Sequence, residues 1–467
     1  MNDITAIFAF LKYCLGYKGN MSRVIAGMDW QELYSFASKQ ALLGLCFEGI
    51  ERLGKEYPEE LKQNPIGREL LMTWMGKAQQ IRRQNMKVNA VAGKLFSRDK
   101  CRTELREDGL RCCILKGQGN ALMYPNPYSR TPGDIDVWIH ASRERIIEYA
   151  SKKFELEDDI RLQHLETSLD GVPVELHFFP CSMNNPIYHA RLQKWFRRNA
   201  DLQCSHIVGL PDGAGDIAIP TTAFNVIYQL MHLYHHFFDE GIGMRQIIDY
   251  FLVVNDFSKN VFLNNDLSNP SVNFSNHPVP LSKEGSTFSP SPSSSGSGDV
   301  TAPSWCSEPL RSKDGGPSKV SPNCAGWDRR GVSGDTGSVS CSSASTTDSS
   351  ASTALDVVQR ELKYLELWKF ARAVMYVLHE ALGLSEEKMI APMDEKRGKL
   401  LLAEILNGGN FGKHFTKYGH FTQQGMAKKY FLKIWRNMHF VRYYPAEALS
   451  EPIFRTWHFF WRMKNRK

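Results

Sequence analysis

The chain reads as α+β: a small mixed sheet flanked by N-terminal and C-terminal helical regions, with a long disordered insertion. Three observations carry this reading. Apolar residues keep helical spacing through the first hundred positions and again beyond Pro220. Between Gly109 and Phe179 the period shortens to that of strands. From Ser282 to Thr353, Ser, Thr, Gly and Pro supply 43 of 72 residues, too few apolar groups to offset the entropy of ordering.

Residues 1–108 form the N-terminal helical region. Trp30, Leu33, Phe36, Ala37, Ala41 and Leu45 fall on one helical face, and Arg68 to Arg98 runs long without a Pro. Residues 109–219 form the α/β core. CCILKG is a short buried strand ending in a turn, GNALMY a short helix, PNPYSRTPG a loop, and DIDVWI alternates as a strand. Ser142 to Phe154 is an amphipathic helix capped by Ser142. RLQHLETSL and VPVELHFF are two strands joined at Asp170-Gly171, a dipeptide suited to a tight hairpin. A helical domain starts at 220–257 and resumes at 355–467, interrupted by the insertion at 258–354. No internal repeat is visible.

Composition narrows the function classes. No stretch reaches the roughly 18 uncharged apolar residues of a membrane span. Asp3 precedes the first apolar run with no basic residue before it, which argues against a secretory signal and makes the cytoplasm the expected address. Ten cysteines without C-x-x-C spacing argue against a disulfide framework and a cysteine zinc site. The net charge of +7 is uneven: from Asn410 to Lys467, twelve Lys or Arg face only Glu447 and Glu451. Such a surface attracts polyanions, whether nucleic acid, nucleotide or anionic lipid.

Asp134 and Asp136 are the first candidates for chemistry. Two apart on a strand, they share a face while Ile135, Val137 and Ile139 take the other. The last strand repeats the pattern, with Val174, Leu176 and Phe178 opposite Glu175 and His177. If the two strands are neighbours, three carboxylates meet and repel unless cations neutralise them, and oxygen donors suit magnesium or manganese.

At these residues the chain resembles the polymerase-β-like nucleotidyltransferase superfamily. There a Gly-(Ser or Gly) turn precedes D-x-(D or E), and a third acid lies on a later strand. More narrowly, LKGQGNALMYPNPYSRTPGDIDVWI followed by GVPVELHF is similar to a family of uncharacterised nucleotidyltransferases with L-K-G, R-x-x-x-D-(I/L)-D and (V/I)-(E/D)-L-H. MHLYHHFFDEGIGMRQIIDY and NGGNFG resemble its helical half. The resemblance covers most of the chain outside the Ser-rich tract. It departs from the wider superfamily in having Lys116-Gly117 for Gly-Ser and a longer gap before Asp134. It implies a nucleotidyltransferase core in which Asp134, Asp136 and Glu175 are catalytic residues and ligands of Mg²⁺ (or Mn²⁺). Gly117 matches the turn that lets a triphosphate approach the backbone.

Several further side chains have two readings. Lys116 either contacts a phosphate or solvates a strand end. Arg130 either grips a phosphate with its fork or pairs with Asp134 or Asp136. His177 orients Glu175, touches substrate or acts as a base, unless it is a structural histidine; His164 is a weaker candidate. His232, His235 and His236 share a helical face but lack a fourth ligand, which favours polar core or pocket-lining histidines over a metal site. Arg245 either pairs with Asp249 one turn on or faces a nucleotide, and the resemblance favours the pocket. NGGNFG fits an interhelical turn better than a phosphate loop. Tyr430, Trp435, Tyr443, Tyr444, Trp457 and Trp461 alternate with basic residues near the C-terminus. Aromatics packed in the core with solvated cations describe this better than a nucleic-acid surface, and FRTWHFFWRMKNRK also suits an anionic membrane surface.

The leading expectation is transfer of a nucleoside monophosphate from an NTP to an acceptor hydroxyl, releasing pyrophosphate. The acceptor (small molecule, RNA or protein) is open. The alternatives are a non-catalytic nucleotide- or partner-binding protein, or RNA binding through the basic C-terminus.

Overall fold

The computed structural model describes residues 3–96, 110–156, 161–265, 353–414 and 426–465, so most of the Ser-rich segment lies outside the described residues. Four strands form the main sheet in the order β1-β2-β4-β3: β1 (Arg111–Ile114), β2 (Ile135–His140), β3 (His164–Leu169) and β4 (Val172–His177). β2 runs antiparallel to β1 and parallel to β4, and β3 and β4 form a hairpin. The sheet is therefore mixed, as the spacing predicts. The hairpin turns at Asp170 and Gly171, both at positive φ (51° and 69°), the conformation the dipeptide favours.

β2 is central and buried on both faces. Ile135, Val137 and Ile139 are apolar on one side; on the other, Trp138 stacks on Phe224 (6.0 Å) and lies against Phe196 (6.0 Å). Those rings come from helices Pro186–Gln203 and Thr222–Asp239. Helix Arg143–Lys153 starts as expected, with Ser142 Oγ accepting from the Arg145 amide.

The N-terminal helices are built into the same core, which continues from Ala6 to Ala448. Two buried amides tie them to the rest. Gln40 donates to the Ile405 carbonyl (3.0 Å) and accepts from the Met244 amide (2.8 Å). Asn85, on helix Arg68–Phe96, donates to the carbonyls of Tyr128 (3.0 Å) and Arg130 (2.7 Å) and fixes the loop before Asp134.

Two expectations are corrected. The insertion was to begin at Ser258, yet helix Met244–Asn265 continues through it. Ser258 is buried and donates to the Val254 and Lys388 carbonyls, so it is helical and packed despite its composition. At the other end, Thr353 and Ala354 already open helix Ala354–Tyr364 through a capping box with Asp356. The second correction concerns the C-terminal aromatics. Tyr444 is buried, but Trp435, on helix Met426–Met438, and Trp457 are exposed, the latter because helix Pro445–Asn465 turns Glu447 and Glu451 inward. The side chain of Tyr430 lies outside the described residues. Among the described residues, no helix is long and apolar enough to cross a membrane.

Candidate active site

The site forms at the end of β1, the start of β2 and the middle of β4. Asp136 and Glu175 are directly opposed in the parallel β2–β4 ladder, so their side chains leave the same face at the same height. Asp134 precedes β2 by one residue and completes the group: oxygens of Asp134, Asp136 and Glu175 all lie within 4.8 Å of one another. A second group shares an acid with the first, since ligand atoms of His164, Glu175 and His177 also lie within 4.8 Å.

Positive charge is arranged around the acids. The Leu115 amide donates to the Asp136 carbonyl (3.0 Å), extending the β1–β2 ladder and setting Lys116 beside Asp136, with Nζ to Oδ2 at 3.2 Å. Gly117 then reverses the chain at φ 63°, a left-handed conformation that glycine adopts without strain. His177 Nε2 bridges Asp136 Oδ1 (3.0 Å) and Glu175 Oε2 (3.1 Å).

The protonation states follow. The Asp136 charge and burial push the Asp134 carboxyl up to about 6, against the pull of Lys116. Burial would raise Asp136 too, but the Lys116 ammonium and His177 hold it well below the usual carboxylate range. Burial likewise opposes the charge on Glu175, and the His177 hydrogen bond overcomes it. Burial disfavours the imidazolium of His177, yet its bonds to both acids raise it to about 9. Three carboxylates thus face two cations on an oxygen-rich surface, and this donor set fits a magnesium or manganese ion.

Asp134 and Asp136 open onto a cavity of about 490 Å³, large enough for a small-molecule ligand. Lys116, Gly117, Arg130, Arg245 and Lys413 line it with Asp134 and Asp136. The sequence candidates are therefore brought together, but not all with the partners expected. Arg130 pairs with neither Asp134 nor Asp136. Its guanidinium grips Asp249 with two bonds (2.9 and 2.8 Å), and Tyr124 donates to the same carboxylate (2.8 Å). Asp249 is thus taken by Arg130, not by an i,i+4 hydrogen bond from Arg245. Arg245 Nη1 donates to the Thr131 carbonyl (3.1 Å), while its buried Nε makes no hydrogen bond.

The three histidines of helix Thr222–Asp239 diverge. His232 Nε2 lies 2.8 Å from Lys116 Nζ and 3.2 Å from His236 Nε2. Burial and Lys116 drive His232 well below its ordinary range, so it is neutral and accepts a hydrogen bond from the Lys116 ammonium. His235 lines a separate pocket of about 190 Å³ with His164 and His458. Among the described residues the three form no metal cluster.

Sequence reasoning missed several residues of this wall. Asn120 and Gln229 exchange a pair of amide hydrogen bonds (2.9 and 2.6 Å) and join helix Gln118–Ala121 to helix Thr222–Asp239. Asn410 and Phe411 line the cavity from the turn NGGNFG, which packs so tightly that a Cβ on Gly243 would meet Asn410 Cα at 2.6 Å. Only the pairing of glycine-rich stretches hinted at this, and no local pattern could name the contact.

Among known proteins, the family model for uncharacterised nucleotidyltransferases matches residues 26–268, a little over half of the chain, and covers the acids, Lys116, Arg130, His177 and Arg245. No curated protein and no solved structure matches.

Proposed function

The chain belongs to the uncharacterised nucleotidyltransferase family, and on that premise we propose that it transfers a nucleoside monophosphate from an NTP to an acceptor hydroxyl. The single observation that carries this reading is the convergence of Asp134, Asp136 and Glu175 within 4.8 Å beside a cation-lined cavity. These three carboxylates would hold Mg²⁺ (or Mn²⁺), which when bound supplies charge neutralisation at the α-phosphate and at the departing pyrophosphate.

The chain's own groups divide the remaining work. Lys116 stands at Asp136 as a point charge and can move to a phosphate oxygen, with neutral His232 receiving its other N–H. Gly117 keeps the backbone low where a triphosphate would pass. Arg245 lines the cavity and supplies positive charge for the ligand's phosphates, whereas Arg130 shapes the wall through Asp249. His177 holds Glu175 in place, and a carboxylate of the cluster, Glu175 foremost, takes the acceptor proton as the acceptor oxygen attacks the α-phosphorus. The bond between the α-phosphorus and the bridging oxygen breaks, and pyrophosphate leaves with that oxygen.

The test is transfer of labelled nucleotide to candidate acceptors with Mg²⁺ or Mn²⁺, in the wild type and in an Asp134→Ala, Asp136→Ala double variant. Loss of transfer in the double variant is expected; undiminished transfer would defeat the assignment. Nucleotide binding that needs no divalent ion and yields no product would favour a binding protein instead.

A further inference from the structure

Helix Pro445–Asn465 is inside out. Its buried side carries charge: Glu447 and Glu451 are each 1% exposed, and Arg455 is half-buried against Asp239 at 2.6 Å and against Glu451. Its solvent side carries Leu449 (50% exposed), Ile453 (73%), Trp457 (48%) and Phe460 (62%), at spacings of four, four and three that make one continuous stripe. The orientation is fixed by specific contacts, because Glu447 accepts from the amides of Asn184 (2.7 Å) and Asn185 (3.4 Å), and Ser450 accepts from Asn185 Nδ2 (3.3 Å). Rotating the helix to bury the stripe would break all of these and strand two acids. Contiguous apolar surface of this kind marks a docking site.

We propose that this stripe seats the protein on an anionic lipid surface, with the helix lying in the plane of the headgroups. Charge selects this occupant. The stripe continues into exposed Lys464, and Arg442 and Lys428 are also exposed. With Arg436, Arg455 and Lys433 committed to Glu404, Glu451 and Asp239, the sequence from Asn410 onward keeps nine further Lys or Arg while both of its glutamates are buried. A second copy of the chain would bring that positive charge against itself. A nucleic acid would leave Leu449 and Ile453, at one half of the stripe, without a stacking partner. Aromatic and aliphatic groups flanked by cations match the boundary between headgroups and acyl chains. The proposal is independent of the nucleotidyltransferase reading.

The experiment is cosedimentation of the full chain with vesicles of phosphatidylcholine alone or mixed with phosphatidylserine. The wild type is expected to pellet with the anionic vesicles and to be released by high salt. An Ile453→Glu, Phe460→Glu variant should partition at least about tenfold less, with an unchanged melting curve. Ile453→Ser with Phe460→Ser, which adds no charge, should also lose most of the binding. Wild type that stays in the supernatant with both vesicles overturns the proposal, as does pelleting that these variants leave intact. A dimer in light scattering that the variants make monomeric assigns the stripe to a second copy instead. Oligonucleotide binding lost in the same variants assigns it to nucleic acid.

Discussion

Glu447 and Glu451 are as deeply buried as Asp136, at 1% against 2% exposure, yet the two regions use their acids differently. Under the C-terminal helix each carboxylate has a committed partner: two backbone amides for Glu447, Arg455 for Glu451. On the two inner strands of the sheet three carboxylates converge with Lys116 and His177 beside them, and two of the three, Asp134 and Asp136, open on a cavity. Burial alone therefore does not mark a reactive acid. Convergence of like charge next to open volume does, because only there can a ligand change the electrostatic balance.

The sharpest way to break this contrast is to neutralise one acid in each region. Glu175→Gln keeps shape but removes a carboxylate, and nucleotide transfer should fall roughly 10³-fold while the melting temperature holds. Glu451→Gln should leave the rate within about twofold. If steady-state transfer assays gave the opposite order, the site would be misplaced. The next effect separates the two arginines of the cavity wall. Arg130→Ala leaves Asp249 buried with only the Tyr124 hydroxyl and no ion-pair partner, and should cost about 3–5 kcal/mol in urea unfolding. Arg245→Ala removes a buried cation whose charge is already disfavoured by burial and by Arg130, so stability should change by less than about 1 kcal/mol. Its effect should appear as weaker nucleotide binding in calorimetry.

The acids were legible in the sequence because strand period is a local rule. Asp134 and Asp136, like Glu175 and His177, alternate with apolar residues over a few positions, and only the β2–β4 adjacency had to be supplied. Gly117 and the Asp170-Gly171 turn were legible for the same reason, since positive φ is written in single residues. What stayed hidden is partnership across the chain. Arg130 meets Asp249, Lys116 meets His232 and Gln40 bridges Met244 and Ile405, and none of these pairs is encoded by spacing. The C-terminal helix misled for a related reason. Its pattern of apolar and charged faces was readable, but which face turns inward was set by the amides of Asn184 and Asn185, far away in sequence.

A last predicted effect is a pH dependence that both regions share in sign but not in consequence. Burial raises Glu447 to about 7, and the Asp136 charge with burial raises Asp134 to about 6. Each folded value lies above the unfolded value of roughly 4. The fold therefore holds these protons more tightly, and the stabilisation is full below about pH 4 and lost as pH rises through the folded value. Without divalent ions, Glu447→Gln and Asp134→Asn should each be more stable than wild type at pH 8, by about 1 kcal/mol. The gap should close in melting curves near pH 4. The two then part: Glu447→Gln should retain transfer activity, whereas Asp134→Asn should lose it, because the charge that strains the empty fold is the one the reaction uses. A variant at Asp134 that gained stability and kept full activity would show that the cluster is only another set of buried acids.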